Sequence, residues 1–290
     1  MGTSQSSKGP ASGVPMVPPW VPDPVSPDQS PGEDNDNPTD GDDQDGHQPD
    51  GAAEGRDGSQ PVSLLAPSAR FGGARRNLGT FARTGDAANM RRGLGLYVGR
   101  GYGGSETAVK RFEGTATTAR ALYRALSGVT GGQAVSPENP LDSLLLAGQS
   151  AQGVMDALVE AVRPADGTQD AEADRAAIRD ALSELLTEFP RADLVDLSEA
   201  QRVFGVERFV AIDVYRHFQL DLGKTLQDKA PTASAGLARL KEVKDYIKET
   251  VAAAFRTLRD GGVRLTTGRV NEVVRAALRE TFQVFESYIS

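Results

Sequence analysis

Cysteine is absent from this 290-residue sequence. Its absence excludes disulfides, thiolate metal sites and cysteine nucleophiles together. Histidine occurs twice and tryptophan once, so imidazole chemistry is confined to His47 and His217. Long apolar runs are missing as well. No uninterrupted stretch approaches the roughly 18 residues that a bilayer-spanning helix needs, so no membrane span is expected. The first residues are polar and broken by Gly and Pro, with no apolar h-region, so a secretory leader is not expected and the cytoplasm is the default compartment. Neither a nucleophile elbow nor a Walker loop occurs, and no carboxylate pair stands out from the charged faces. Nothing in the sequence argues for an enzyme, and no cofactor is expected.

What is present is unevenly spread. Residues 1–60 hold 12 Asp and Glu against 2 Lys and Arg, whereas 61–115 hold 9 basic and 3 acidic residues. The net charge of −8 thus hides two opposite fields. Three zones follow from this. Residues 1–22 are Gly-, Ser- and Pro-rich, with Pro15, Pro18 and Pro19 beside Trp20. Prolines at this density favour a stiff, extended polyproline II segment of the kind that docks in an aromatic groove, so 1–22 reads as a partner-binding tail. Residues 23–61 are acidic and almost devoid of apolar periodicity, which predicts a disordered linker.

Residues 62–290 carry the fold, and their periodicity is helical almost throughout. Two short Arg-rich helices are expected, from Ser68 or Arg70 to Arg83 and from Ala87 to Val98. Ser105 is placed to cap a helix running to Ser127, with Gly128 as terminator. Asn139-Pro140 reads as the opening of a segment through Leu144, Val154, Leu158 and Val162. Asp170 begins a helix that Pro190 stops, and Ser198–Gln201 has the capping-box pattern before Val203, Phe204, Val210, Val214 and Phe218. Apolar residues from Leu237 to Leu258 mark a long amphipathic helix with a Lys241–Asp245 pair outside, and 269–289 repeat the theme. No segment shows sustained β-branched alternation. The expected fold is an all-α, multi-helix domain preceded by a disordered N-terminal tail and an acidic linker.

Three constellations bear on chemistry. Gly99-Arg100-Gly101-Tyr102-Gly103-Gly104 matches GxGxxG. A dinucleotide fingerprint needs a strand before it and a second strand after it, and the chain offers no second strand. The plainer reading is a Gly-rich turn between helices, where positive φ or close backbone approach is required. An anion at the start of the following helix, facing free N–H groups and Arg100, is the functional alternative. Second, the basic stretch that includes Arg91, Arg92 and Arg100 is interleaved with Phe71, Phe81, Tyr97 and Tyr102. Nucleic acid would suit that pattern, but the preferred reading is the plainer one, a protein contact (the acidic linker included) or a solvated helical face. Third, His217 stands four residues from both Asp213 and Asp221. Helix-surface pairing explains that spacing, and no metal is expected.

The N-terminus is the most informative element. Gly2 is small, so loss of Met1 leaves a free glycine amine on the tail. MGTSQS also fits the N-myristoylation pattern, but no polybasic segment follows and the acidic linker would be repelled by anionic lipid.

MGTSQSSKGPASGVPMVPPW, the RRGLGLYVGRGYGG stretch at 91–104 and the following AVKRFEGTATTARALYRALSG together resemble the QatB family, the B component of the Qat anti-phage defence system. The resemblance is sharpest over 2–20 and 70–128 and fades into generic helices beyond. It implies a non-enzymatic component that acts beside an ATPase (QatA), a QueC-like deazaguanine-chemistry enzyme (QatC) and a TatD-like nuclease (QatD). Related QueC-like defence enzymes conjugate a 7-deazaguanine base to a partner's N-terminal glycine. The resemblance therefore implies an adduct at the Gly2 amine, with Thr3 and Ser4 as recognition context. Lys8 is a competing amine that depth of insertion would have to exclude.

Overall fold

The computed structural model describes residues 70–130 and 148–289, all within one compact unit, Ser63–Ser290. The predicted tail and linker, and the Asn139-Pro140 start, lie outside the described residues. Within them every regular element is a helix, as expected.

Two helices open the body. Helix α1, Gly72–Thr84, buries Ala74, Leu78, Phe81 and Ala82 and ends at Gly85, whose φ of 74° only glycine adopts without strain. Asp86 then caps α2, Ala87–Leu96, by accepting from Ala88 N–H. The two pack tightly because Gly93 has no side chain: a Cβ there would lie 2.7 Å from Leu78 Cγ.

The Gly-rich segment is only in part the turn expected from its composition. Tyr97–Tyr102 is a π-helical continuation of α2, and only Gly103 and Gly104 take positive φ, at 81° and 101°. The close-approach half of the expectation holds. A Cβ at Gly99 would lie 2.5 Å from Ile289 Cδ1, and one at Gly101 would lie 2.5 Å from the Phe71 ring.

Gly104, not Ser105, occupies the cap position of α3, Ser105–Arg111. The chain bends at Phe112 before α4, Glu113–Thr130, so the single helix predicted over 105–127 is two, and Gly128 does not stop the second. Helix α5, Ala151–Val162, is capped by the Ser150 hydroxyl. Helix α6, Gln169–Glu188, has Thr168 as its cap, one turn's worth of acidic residues after it, and ends before Pro190 as expected. Helix α7, Glu199–Phe218, begins with the predicted capping box, Ser198 and Gln201 each bonding the other's backbone N–H. A second π turn, Gln219–Gly223, leads into α8, Lys224–Lys229. Helices α9, Ala233–Asp260, and α10, Val270–Glu286, complete the body, followed by a 3-10 turn, Ser287–Ile289.

Helix α7 is the central element, packed against α4, α6 and α9. Residues 209–215 are buried without interruption, so this stretch of the helix is enclosed on all sides, while its first residues are exposed. Val203 and Phe204, expected on its core stripe, are only partly buried. Helix α10 lies against α2, α3, α4 and α9. On α9, Lys241 and Asp245 pair at 2.6 Å on the exposed side as predicted. Leu237 does not join the core line: it is 63% exposed, because the first turn of α9 precedes the point where the helix enters the core at Leu240.

Candidate functional site

The first feature is the basic surface of α1, α2, the first π turn and α3. Arg75, Arg76, Arg83, Arg91, Arg92, Arg100, Lys110 and Arg111 are all exposed. Their local carboxylates are engaged elsewhere. Asp86 is committed to capping α2. Glu106 binds Arg279 Nε at 2.7 Å, and Glu113 binds Arg275 Nε at 2.8 Å, both across to α10. Ion pairing with the distant arginine holds the Glu106 carboxyl below its ordinary range. Among the described residues no cation from Arg70 to Arg111 makes an ion pair, whereas more than half of those beyond residue 116 do. Among the described residues, then, these cations have no carboxylate paired with them, and the surface of α1 to α3 is locally positive.

The aromatic residues interleaved with it are not available for stacking. Phe71, Phe81 and Tyr97 are buried, and Tyr102 is half-buried with Arg70 over its ring at 5.2 Å. Arg91 likewise lies 5.9 Å from the Tyr246 ring. The anion expected at the start of α3 is supplied internally: Ser105 N–H donates to Glu286 Oε2 at 3.1 Å. Arg91, Arg92 and Arg100 thus share the exposed surface, while Gly101 and Gly104 serve packing and chain reversal. Gly2, Thr3, Ser4, Pro15, Pro18, Pro19 and Trp20 lie outside the described residues.

The second feature is where the two π turns meet. Tyr97 and Tyr102 hydroxyls both donate to Asp221 Oδ2, each at 2.9 Å. Burial raises both phenols well above their ordinary range. This arrangement breaks the helical trio read from the sequence. The π turn at 219–223 carries Asp221 out of register with His217, towards the tyrosines.

Asp174 takes its place. Asp174 of α6 and Asp213 and His217 of α7 bring one ligand-type atom each to within 4.8 Å of one another. His217 Nε2 lies 3.7 Å from Asp213 Oδ2. Burial, and then the Asp174 charge, push the Asp213 carboxyl well above its ordinary range. Sequence reasoning missed Asp174, although its spacing held a signal. It stands four residues before Ile178 on the stripe that α6 buries.

A cavity of about 390 Å³ lies between α7, α9 and the loop after α9, lined by Val203, Glu207, Phe255, Leu258, Arg259 and Leu265 among others. Burial raises the Glu207 carboxyl above its ordinary range despite nearby arginines. Among the described residues no helix is long and apolar enough to cross a membrane.

Over the described residues these features define an all-α body with polar clusters inside its core and a cationic surface outside. The chain belongs to the family described as Qat anti-phage system associated protein QatB, whose profile matches residues 103–285. It is thereby a component of the Qat anti-phage system, in a family described by association with that system and not by a reaction. Comparison with curated proteins and with solved structures gave no match. The family match runs through α3 to α10: it takes in residues 103–128 of the stretch where the resemblance is sharpest and the helices beyond it that were taken as generic, and it does not include residues 2–20.

Proposed function

We propose that this chain is a non-enzymatic, partner-binding component of the Qat system that presents its Gly2 amine, after removal of Met1, to the QueC-like enzyme QatC. The adduct is of 7-deazaguanine type, with Thr3 and Ser4 as its recognition context and the segment Pro15, Pro18, Pro19 and Trp20 as the anchor outside the enzyme. An amine that must thread into an activating site is best borne by glycine, which has no Cβ to obstruct it. The helical body binds partner proteins, QatC and also the ATPase QatA or the TatD-like nuclease QatD. The observation that carries the binding role is the cationic surface whose own carboxylates are held by α10 or by a helix cap. Such a surface favours an acidic partner and speeds its approach.

Intact-mass and peptide analysis after co-expression with the QueC-like partner tests the modification. The expected result is a mass gain confined to the peptide that begins at Gly2, lost in Gly2→Pro together with defence. An unmodified N-terminus with full defence in Gly2→Pro overturns it.

Nucleic acid is the second reading, favoured by the same surface cations. The burial of Phe71, Phe81 and Tyr97 removes the stacking partners, which leaves phosphate contacts alone. It predicts weak, sequence-independent binding that falls steeply with salt and is lost in Arg91→Ala/Arg92→Ala. No binding to DNA or RNA at low ionic strength removes this reading.

A further inference from the structure

We propose that Asp174, Asp213 and His217 form a binding site for one first-row divalent cation of the zinc or manganese type, at the junction of α4, α6 and α7. Some carboxylate oxygens of the cluster are already occupied. Thr115 of α4 donates to Asp213 Oδ2 at 2.6 Å. Thr118 of α4 donates to Asp174 Oδ2 at 3.3 Å, and Arg163 Nε donates to the same oxygen at 3.0 Å. These donors all end on Oδ2. Asp213 is fully buried, and among the described residues its Oδ1 has no donor, only the neighbouring Asp174 carboxyl facing the same group. An ionised carboxylate oxygen left bare in a protein interior is strongly unfavourable unless a cation or a proton meets it.

Geometry favours a cation. The 3.7 Å between His217 Nε2 and Asp213 Oδ2 is too long for a hydrogen bond. That oxygen already accepts from Thr115, so what places an ion is the trio as a whole: one ligand atom each from Asp174, Asp213 and His217 lies within 4.8 Å of the others, a span that side-chain rotation shortens towards the ~3.4 Å edge of a tetrahedral ion. Two carboxylates and an imidazole are the donor set that suits zinc, manganese or ferrous iron. The hydroxyls of Thr115 and Thr118 and the Arg163 guanidinium then act as outer partners that fix the orientation of each carboxylate. The charges also agree: among the described residues Arg163 divides its charge between Asp174 and Asp166, and Arg216, which acts on Asp213 from the same helix, is bonded to Asp180. His217 is the accessible side, with its side chain 26% exposed and its ring edge-on to Phe112 at 5.0 Å. It gives an ion and its remaining water ligands a way in. The site is independent of the Gly2 chemistry and ties together α4, α6 and α7.

The rival for Asp213 Oδ1 is a single proton shared with Asp174, and one experiment separates the two. The untagged full-length protein is stripped with EDTA and titrated with Zn²⁺, Mn²⁺ and Co²⁺ while its melting temperature is followed. A cation at 100 times its Kd is expected to raise Tm by about 5–10 °C. Co²⁺ is expected to give visible d–d absorption at one equivalent. Asp213→Asn, which mimics the protonated acid, and His217→Gln are both expected to fold and to lose the response. Stripped protein that ignores all three ions, or an Asp213→Asn variant that responds like the native chain, overturns the proposal.

Discussion

Asp221 accepts from two tyrosine hydroxyls, one of them fully enclosed. Replacing it by Ala removes the shared acceptor and leaves the Tyr97 and Tyr102 hydroxyls only each other, 3.1 Å apart, at a cost of about 1–3 kcal/mol. Thermal unfolding should fall by about 3–8 °C. Tyr102→Phe should cost less, under about 1 kcal/mol, because Tyr97 keeps its bond to Asp221. A larger loss from Tyr102→Phe than from Asp221→Ala contradicts this ranking. Glu207 gives a pH-dependent test at the same scale. Its carboxyl is raised by burial, so the folded state holds the proton more tightly than the unfolded state. Its stabilising effect is therefore complete below the ordinary value and is lost as pH rises through the raised one. Glu207→Gln should be more stable than the native chain at pH 7, with Tm up by a few degrees, and the two should converge near pH ~4. Melting curves at the two pH values decide it.

Elements were legible where their signals are local. The Ser198–Gln201 capping box depends on residues three apart, and it is found as read. Replacing Ser198 by Ala should cost about 1 kcal/mol, seen as a lower urea midpoint with unchanged slope. The π turns were not legible, because they arise from what packs against them. Gly99 and Gly101 let Ile289 and the Phe71 ring approach, and neither neighbour is visible in the GxGxxG pattern. Gly101→Ala should destabilise by about 1–3 kcal/mol through overpacking against Phe71. Gly114→Ala, where nothing lies within 4 Å of an added Cβ, is the control and should be neutral or stabilising. The buried cluster was half legible. His217 and Asp213 share a helix, but Asp174 joins them only through the register of α6 on α7. Its bond to Thr118 spans 56 positions.

For the described residues as a whole, helical periodicity was enough to read an all-α body, because the longer helices, α9 and α10 above all, carry an apolar stripe at helical spacing. Composition separated the basic stretch from the acidic one, yet it did not show that the stretch's own carboxylates, among the described residues, pair elsewhere. That follows from Arg275 and Arg279 of α10 reaching back to Glu113 and Glu106. Removing those two arginines should release both carboxylates towards the surface cations and weaken its positive field. The expected outcome for Arg275→Gln/Arg279→Gln is slower association with an acidic partner and a shallower salt dependence, measured by stopped-flow at two ionic strengths.

The closing segment of the helical body sets an order of events for a ribosome. Glu286 meets Ser105 across 181 positions, and Ile289 and Phe285 lie over Gly99 and Gly95. Helices α1 to α3 therefore emerge early but meet their final partners only when α10 has been made. Until then the underside of α2 and its π turn is open, and at about 5–20 residues per second that interval lasts roughly ten to forty seconds. A nascent chain of this kind gains from an early companion, one able to hold a cationic surface before its own last helix arrives.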